Sequence, residues 1–273
     1  MIIVKKTLYR ITLILLILIF LLSGYHLFTY FYEGKKSENR YDELAAMVDQ
    51  ARPAETTQPE EPEDTTPAAT EPDMEAVTEP EMEILPEYEA LLEYNPDLVG
   101  WISIEKTKID YPVVQTPNQP EYYLHRDFDG DANDRGCLFV DAGCDVTDSD
   151  NVIIYGHHMS DGSMFASLIN YDNEYYWQSH PEIRFDTLTE HRTYEVFAVF
   201  RTTATVGQGF PYHRFIDAED EEAFDEFVAK CKELSPIDSG ITPEYGDKLI
   251  CLSTCEYSRE NGRYVVMGVY RPE

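Results

Sequence analysis

A long apolar segment follows a short basic one at the start of the chain. Lys5, Lys6 and Arg10 precede residues 11–32, which contain no Asp, Glu, Lys or Arg. As a helix, that segment would extend about 33 Å, enough to cross the roughly 30 Å hydrocarbon core of a bilayer. Because basic residues mark the cytoplasmic side of a span, the pattern predicts a transmembrane anchor with residues 1–10 in the cytoplasm.

The alternative for residues 11–32 is a cleaved signal peptide. The apolar run is longer than the usual core of such a peptide, and no cleavage site of the Ala-x-Ala type follows it. We therefore expect the helix to be retained as a single-pass anchor in the cell membrane. Everything after residue 33 is then expected outside the cell.

The segment that follows the predicted anchor has two parts. Residues 33–50 are polar with a short helical pattern, whereas residues 51–83 combine six prolines, six threonines and eleven acidic residues. The second composition cannot bury enough apolar surface to offset the conformational entropy lost on ordering. We interpret residues 33–83 as a juxtamembrane segment followed by a disordered acidic linker. At about 3.1 Å per residue, that linker would tether a domain up to about 100 Å from the membrane.

Residues 84–273 have the pattern of a folded, mainly β domain. Apolar positions at helical spacing predict helices over residues 84–94, 163–171 and 217–234. Short β-type runs separated by turn-rich stretches predict eight strands. They span residues 99–104, 109–114, 137–140, 152–155, 183–185, 194–200, 248–253 and 264–270. Eight short strands with few helices predict a barrel or a sandwich.

Charge and cysteine content narrow the class of protein. The chain carries 21 Lys and Arg against 52 Asp and Glu, a formal net charge of −31. Nucleic acid is excluded as a partner, because a basic surface is needed to displace counterions from phosphates. An anionic membrane surface is excluded as the main partner for the same electrostatic reason. The five cysteines are an odd number in a long chain, which does not indicate a disulfide scaffold.

The sequence lacks the common metal, phosphate and serine-hydrolase motifs. It has no CxxC pair, no HExxH segment, no Walker-type glycine loop and no GxSxG elbow. A zinc site built from Cys251 and Cys255 with His157 and His158 would have no recognised spacing. We therefore expect neither a metal nor an organic cofactor.

A cysteine at the end of one strand and a histidine at the end of another are the candidates for chemistry. Cys255 closes the apolar run 249–255, where substrate could reach it, although free cysteines are more often buried. His157 follows Gly156 directly after the strand at residues 152–155. An imidazole there could activate a thiol and protonate a leaving amine, but a histidine at such a position, considered by itself, is more often a surface residue.

Arg263 opens the last strand and could stabilise an oxyanion near the thiol. Considered by itself, an arginine at a strand start is more often simply exposed, and the distance of Arg263 from Cys255 depends on the turn between them. A two-residue turn at Asn261-Gly262, which the local sequence favours, would pair Cys255 near Gly268 and leave Arg263 about five residues away. A loop that starts directly after Cys255 would instead let Arg263 face it.

Together these segments resemble the sortases, the cysteine transpeptidases of Gram-positive cell surfaces, and specifically their class B. Residues 252–255, LSTC, are similar to the cysteine motif of that class. Residues 151–159, NVIIYGHHM, resemble its histidine segment, and residues 261–263, NGR, its arginine segment. Residues 95–102 and 109–115 resemble its first strands.

The resemblance covers residues 84–273 and implies a sortase-type catalytic domain. The fold would be an eight-stranded β-barrel with an N-terminal helical addition and a long helix before the cysteine strand. The family's geometry requires Arg263 to face Cys255, and it therefore favours the loop over the two-residue turn.

The resemblance also implies acyl transfer. Cys255 would attack the Thr carbonyl of a C-terminal sorting signal of the NPxTG or LPxTG type, Arg263 would hold the oxyanion, and His157 would move the protons. Ser253 and Thr254 would line the substrate groove. The implied partners are secreted proteins that carry such a signal and the amine of a cell-wall precursor or a pilin.

Two other functions fit parts of the pattern. A surface cysteine peptidase would use the same Cys–His chemistry with water as the acceptor. A non-enzymatic adhesin on a stalk would instead have Cys255 buried and unreactive.

Overall fold

Eight strands close into a barrel in the computed structural model of the protein, which describes residues 2–53, 83–205, 207–258 and 260–272. The strands are β1 (Leu98–Ser103), β2 (Asp110–Val114), β3 (Leu138–Val140), β4 (Asn151–Tyr155), β5 (Glu182–Thr187), β6 (Thr193–Thr203), β7 (Leu249–Glu256) and β8 (Gly262–Tyr270). The eight predicted strands and the barrel are confirmed, with the barrel chosen over the sandwich.

The order of strands around the barrel is β1-β2-β3-β4-β7-β8-β6-β5, and β5 pairs back onto β1. The pairs β2–β3 and β4–β7 are parallel, and the others are antiparallel. Because β4 and β7 are parallel neighbours, their carboxyl ends meet at one edge of the barrel. That edge carries the residues singled out from the sequence.

Three helices lie outside the barrel strands in the described part of residues 83–272: α2 (Pro86–Tyr94), α3 (Glu174–Ser179) and α4 (Glu221–Leu234). The helix α4 starts later than predicted because Asp220, not Asp217, caps it and accepts a hydrogen bond from the Ala223 amide at 2.9 Å. The helix predicted over residues 163–171 is wrong in type and position, since a 3₁₀ helix covers Ala166–Asp172.

The first helix, α1 (Ile2–Ala51), is much longer than the predicted anchor. Residues 9–28 are exposed along its apolar stretch. Within the described residues it is the single helix that is long and apolar enough to cross a bilayer.

The second half of α1 packs against the barrel. Tyr41, Leu44 and Val48 are buried at spacings of three and four residues, which makes one apolar stripe along the helix. The Tyr41 hydroxyl donates to the Gly136 carbonyl at 2.8 Å. The stripe faces β2 and α2, so this part of the chain adds a helix to the barrel's surface.

The segment predicted to separate the membrane from the domain therefore differs in its first part. Residues 33–51 continue α1 and pack on the barrel, although the sequence indicated only a short helical pattern there. The sequence showed neither the length of this helix nor the surface against which it packs. The acidic residues 54–82, to which the prediction of disorder applies, lie outside the described residues.

Candidate active site

Three neighbouring strands bring the candidate residues to one edge of the barrel. Tyr155, the last residue of β4, pairs with Ser253 of β7, and His157 and Cys255 each follow two positions further along their chains. Across the antiparallel pair of β7 and β8, Cys255 lies directly opposite Arg263. The three residues thus line one cleft although they are up to 106 positions apart in the numbering (157 to 263).

The link between β7 and β8 decides the place of Arg263. The strands extend to Glu256 and from Gly262, and these two residues pair with each other. The loop therefore comprises residues 257–261, and the two-residue turn at Asn261-Gly262 is wrong. Asn261 does adopt a positive φ of 51°, but as the last residue of the longer loop.

Gly156 is needed for close packing before the histidine. A Cβ atom at this position would lie 2.4 Å from Leu138 Cδ2 and 2.6 Å from Phe165 Cδ2. Both neighbours are fully buried. A sharp turn that only glycine permits does not explain this residue, because Gly156 does not have a positive φ.

His157 is held by backbone and by a second imidazole. Its Nε2 lies 2.7 Å from the Leu124 carbonyl oxygen. A carbonyl can only accept, so Nε2 carries a proton and Nδ1 is left for the thiol or the substrate. The ring of His125 stacks on that of His157, with centroids 5.6 Å apart and an interplanar angle of 26°.

The neighbouring His158 points elsewhere. Its Nδ1 lies 3.2 Å from the backbone carbonyl of Cys255, and its ring contacts Tyr257 at 5.4 Å between centroids. It supports the backbone at the thiol, whereas His157 lines the cleft in front of it.

A cleft of about 490 Å³ contains every residue proposed for the site. Its lining includes His157, Ser253, Thr254, Cys255 and Arg263. The remaining members are Pro120, Glu121, Leu124, Cys137, Phe139, Asp141, Ala142, Tyr155, Gly156, Ala204, Tyr212 and His213.

Cys255 differs in exposure from the other four cysteines. It is half-buried at the cleft, whereas Cys137, Cys144, Cys231 and Cys251 are buried. Burial raises the pKa of the Cys137 thiol to about 12 and that of Cys144 to about 11, and it also raises the pKa of Cys231 and Cys251. A buried thiol that resists ionisation is a poor nucleophile, which leaves Cys255 as the candidate.

Arg263 is half-buried beside the thiol. Its Nη1 donates to the Gly262 carbonyl at 3.0 Å and to the Asn261 carbonyl at 3.4 Å. The guanidinium is thus oriented by backbone at the mouth of the β7–β8 loop, with donors left to face the cleft.

Ser253 and Thr254 lie on opposite faces of β7, because side chains alternate along a strand. Ser253 shares the face of Cys255, and its hydroxyl lies 2.6 Å from the Tyr212 hydroxyl. Thr254 is buried, and its hydroxyl has no hydrogen-bond partner among the described residues. Thr254 is nevertheless among the residues that line the cleft.

The zinc alternative finds no support in this geometry. Within the described residues, no group of three or more His, Cys, Asp or Glu side chains is arranged to hold a metal ion. Cys251 is completely buried inside β7, away from the cleft in which Cys255 and His157 lie.

Sequence reasoning missed two residues that shape the cleft. Leu124 acts through its backbone carbonyl, which leaves no signature in a side-chain pattern. Tyr212 lies on a single 3₁₀ turn (Tyr212–Arg214) and reaches the site from β6 and its following loop. Tyr155, in contrast, could have been found, because it directly precedes the Gly156-His157 pair.

The chain matches known proteins along most of its length. A family model described as the sortase domain matches residues 102–270. Sortase B of Listeria monocytogenes is 33% identical over 185 residues, which cover 67% of this chain and 73% of that protein. Sortase B of Staphylococcus aureus is 32% identical over 186 residues, which cover 67% of this chain and 74% of that protein. The chain belongs to the sortase family, class B.

Solved structures agree with this assignment. A Staphylococcus aureus sortase B–substrate complex superposes with a TM-score of 0.71 at 26% identity, over 88% of this sortase and 98% of that chain. Sortase B from Bacillus anthracis in complex with AAEK1 superposes with a TM-score of 0.70 at 29% identity, over 89% and 100%. This sortase is therefore a cysteine transpeptidase that anchors proteins to the cell wall.

Proposed function

We propose that this sortase cleaves a C-terminal sorting signal of the NPxTG or LPxTG type after its Thr. It then joins the Thr carbonyl of the cleaved protein to an amine. The observation that carries the proposal is the meeting of Cys255, His157 and Arg263 at one cleft, with Cys255 the one cysteine that is not buried. The amine belongs to a cell-wall precursor or to a pilin.

The first half-reaction forms a thioester. The Cys255 thiolate attacks the Thr carbonyl carbon, a C–S bond forms, and the carbonyl electrons move onto oxygen. Arg263, opposite Cys255 on β8, stabilises that oxyanion together with backbone amides. His157 then donates a proton to the leaving nitrogen as the C–N bond breaks.

The second half-reaction releases the product. The incoming amine loses a proton to His157 and attacks the thioester, and collapse of the oxyanion breaks the C–S bond and returns the thiolate. The Nε2–Leu124 hydrogen bond supports this role, because it fixes the ring while Nδ1 takes and gives the proton. The substrate is bound along the cleft beside Ser253, Thr254 and Tyr212.

Intact-protein mass tests the proposed chemistry. The full chain in detergent is mixed with a pooled panel of NPxTG-, SPxTG- and LPxTG-type peptides, beside the Cys255→Ala variant. We expect an adduct of the mass of a thioester on the wild type alone, which an added amine removes faster than water does. Equal rates of adduct release with and without amine would identify the reaction as hydrolysis. The absence of any adduct would contradict the assignment of Cys255 as the nucleophile.

We further propose that α1 anchors this sortase in the cell membrane with residues 1–10 in the cytoplasm and the barrel outside. The exposed apolar stretch of α1 and the basic residues before it support this topology. A membrane-impermeant alkylating reagent applied to intact cells tests it. Labelling of Cys255 before lysis is the expected result, and labelling only after lysis would place the barrel inside.

A further inference from the structure

Helix α1 contacts the loop that carries the catalytic histidine. This loop, residues 157–165, is called the histidine loop below. Its base is closed by a hydrogen bond from the Phe165 amide to the His157 carbonyl at 2.9 Å and by a β-bridge between His158 and Met164. Its tip, residues 160–162, reaches away from the cleft to α1.

Two contacts join the tip to α1. The Tyr30 hydroxyl lies 2.5 Å from the Ser160 hydroxyl. Arg135 donates from Nη2 to Asp161 Oδ2 at 2.6 Å, and its guanidinium lies over the Tyr30 ring, 5.6 Å from the centroid. The Arg135 side chain is 5% exposed, so it is enclosed between the loop and the helix.

Gly34 makes room for that arginine. A Cβ atom on Gly34 would lie 2.4 Å from Arg135 Nη2 and 3.2 Å from its Cζ. Glycine inside a helix costs stability relative to alanine, so its presence at a buried helical position needs a packing reason. The close approach of Arg135 supplies one. The helix's other glycine, Gly24, has no atom within 4 Å of such a Cβ.

The base of the loop is also linked to α1. The Met164 amide donates to the Tyr111 hydroxyl at 3.2 Å, and Met164 holds a positive φ of 54°, which a side chain other than glycine adopts only when its neighbours fix it. The Tyr111 ring packs edge-on against Tyr41 of α1, with centroids 5.1 Å apart. The tip of the histidine loop therefore contacts α1 directly, and its base is linked to the same helix through Tyr111 of β2.

We propose that α1 positions His157 for catalysis, with Tyr30 and Gly34 acting as positioning residues through Ser160, Arg135 and Asp161. This inference rests on the proposed role of His157. The histidine loop is short, so a displacement of its tip is transmitted along the backbone to His157. A shift of about 1 Å in a reacting group lowers a rate by up to about 10²-fold. The anchor helix is thereby part of the active site's framework.

The test compares Gly34→Ala with its matched control Gly24→Ala, both in the full chain in phospholipid nanodiscs. Alanine favours a helix at either position, so a difference between the two variants cannot come from helix propensity. We expect Gly34→Ala to lower kcat for transfer of a sorting peptide about tenfold with an unchanged KM, because the added Cβ displaces Arg135 from Asp161. Gly24→Ala retains the wild-type kcat.

A second measurement needs no sorting peptide. Iodoacetamide reacts with Cys255, and the four buried cysteines report any loss of packing. We expect Gly34→Ala to slow the alkylation of Cys255 at neutral pH while the buried four stay unlabelled. If the wild type transfers no peptide, the proposed function fails, whereas this measurement still tests the role of α1.

Equal kcat and equal Cys255 alkylation in the two alanine variants would overturn the proposal. If Gly34→Ala instead exposes the buried cysteines, the effect is on folding, and Tyr30→Phe decides. That variant deletes only the hydroxyl that contacts Ser160. A kcat reduced about threefold, of the order of one lost weak hydrogen bond, supports the proposal, and a wild-type kcat contradicts it.

Discussion

Cys255 and Arg263 lie directly opposite each other in the antiparallel ladder of β7 and β8. The Cβ atoms of such a pair are about 5 Å apart and leave the sheet on the same face. A long guanidinium on that face can reach an oxygen bound next to the thiol without any movement of the backbone. A shift of the register by one residue would place the two side chains on opposite faces.

This register predicts that Arg263 acts on the transition state. Arg263→Ala is expected to slow thioester formation about 10²-fold with little change in KM, as for the loss of one oxyanion donor. The rate of thioester formation in Arg263→Lys is expected to lie between those of the wild type and Arg263→Ala, because an ammonium lacks the planar fork of donors. Single-turnover mass measurements check this, with Arg184→Ala on an exposed part of β5 as the control. A raised KM at constant kcat would instead assign Arg263 to substrate binding.

The adjacent histidines are predicted to differ in their effect on rate. His157→Ala removes the group that we propose to move the protons, and we expect transfer to fall by about 10³-fold. His158→Ala removes contacts with the Cys255 carbonyl and the Tyr257 ring, and neither His158 nor Tyr257 lines the cleft, so a loss of less than about tenfold is expected. Steady-state transfer assays compare the two variants. Equal losses would contradict the separation of roles that the cleft indicates.

The hydroxyl pair of Ser253 and Tyr212 predicts coupled stability changes. Both residues are buried, and their oxygens are 2.6 Å apart. Ser253→Ala or Tyr212→Phe alone leaves a buried hydroxyl unpaired and is expected to lower the free energy of unfolding by about 1–3 kcal/mol. The double variant should cost less than the sum of the two. Urea unfolding in detergent measures the cycle, and strict additivity would show that the two hydroxyls do not interact.

The contact between α1 and the histidine loop predicts a pH-dependent contribution to stability. Burial alone would raise the pKa of Asp161, but hydrogen bonds from Arg135 and Ser163 outweigh it and lower the pKa to about 2. Because the folded-state pKa is depressed, the contribution is complete above the ordinary pKa of about 3.9 and is lost as the pH falls toward 2.

Asp161→Asn removes this contribution. The variant is expected to melt at a lower temperature than the wild type at pH 7, and the gap should narrow between pH 4 and pH 2. Thermal unfolding in nanodiscs at pH 7, 4 and 3 checks it. A gap that stays constant over this range would mean that ionisation of Asp161 contributes nothing.

Much of the barrel could be predicted from the sequence, because strand patterns are local. Each of the eight strands showed an apolar run bounded by turn residues, and the ends of β4 and β7 marked His157 and Cys255. The position of Arg263 was not local. Asn261-Gly262 favours a two-residue turn, yet the pairing of β8 with both β7 and β6 outweighs that preference.

Contacts made by backbone and by distant packing could not be predicted. The Leu124 carbonyl that orients His157 belongs to an ordinary apolar residue. Gly156 and Gly34 each leave room for a side chain that is distant in the sequence, and the local sequence does not indicate which side chain that is. A short helical pattern in residues 33–50 was visible in the sequence, but only the folded barrel shows that Tyr41, Leu44 and Val48 form its buried stripe.

The continuity of α1 changes how this sortase would search for substrate. A flexible tether of about 100 Å would let the cleft explore a deep volume above the membrane. An unbroken helix from the apolar stretch to the packed stripe fixes the cleft's height and tilt instead. With α1 in the bilayer as proposed, the encounter is confined to a thin layer, and lateral diffusion of partners held in the same membrane sets its frequency.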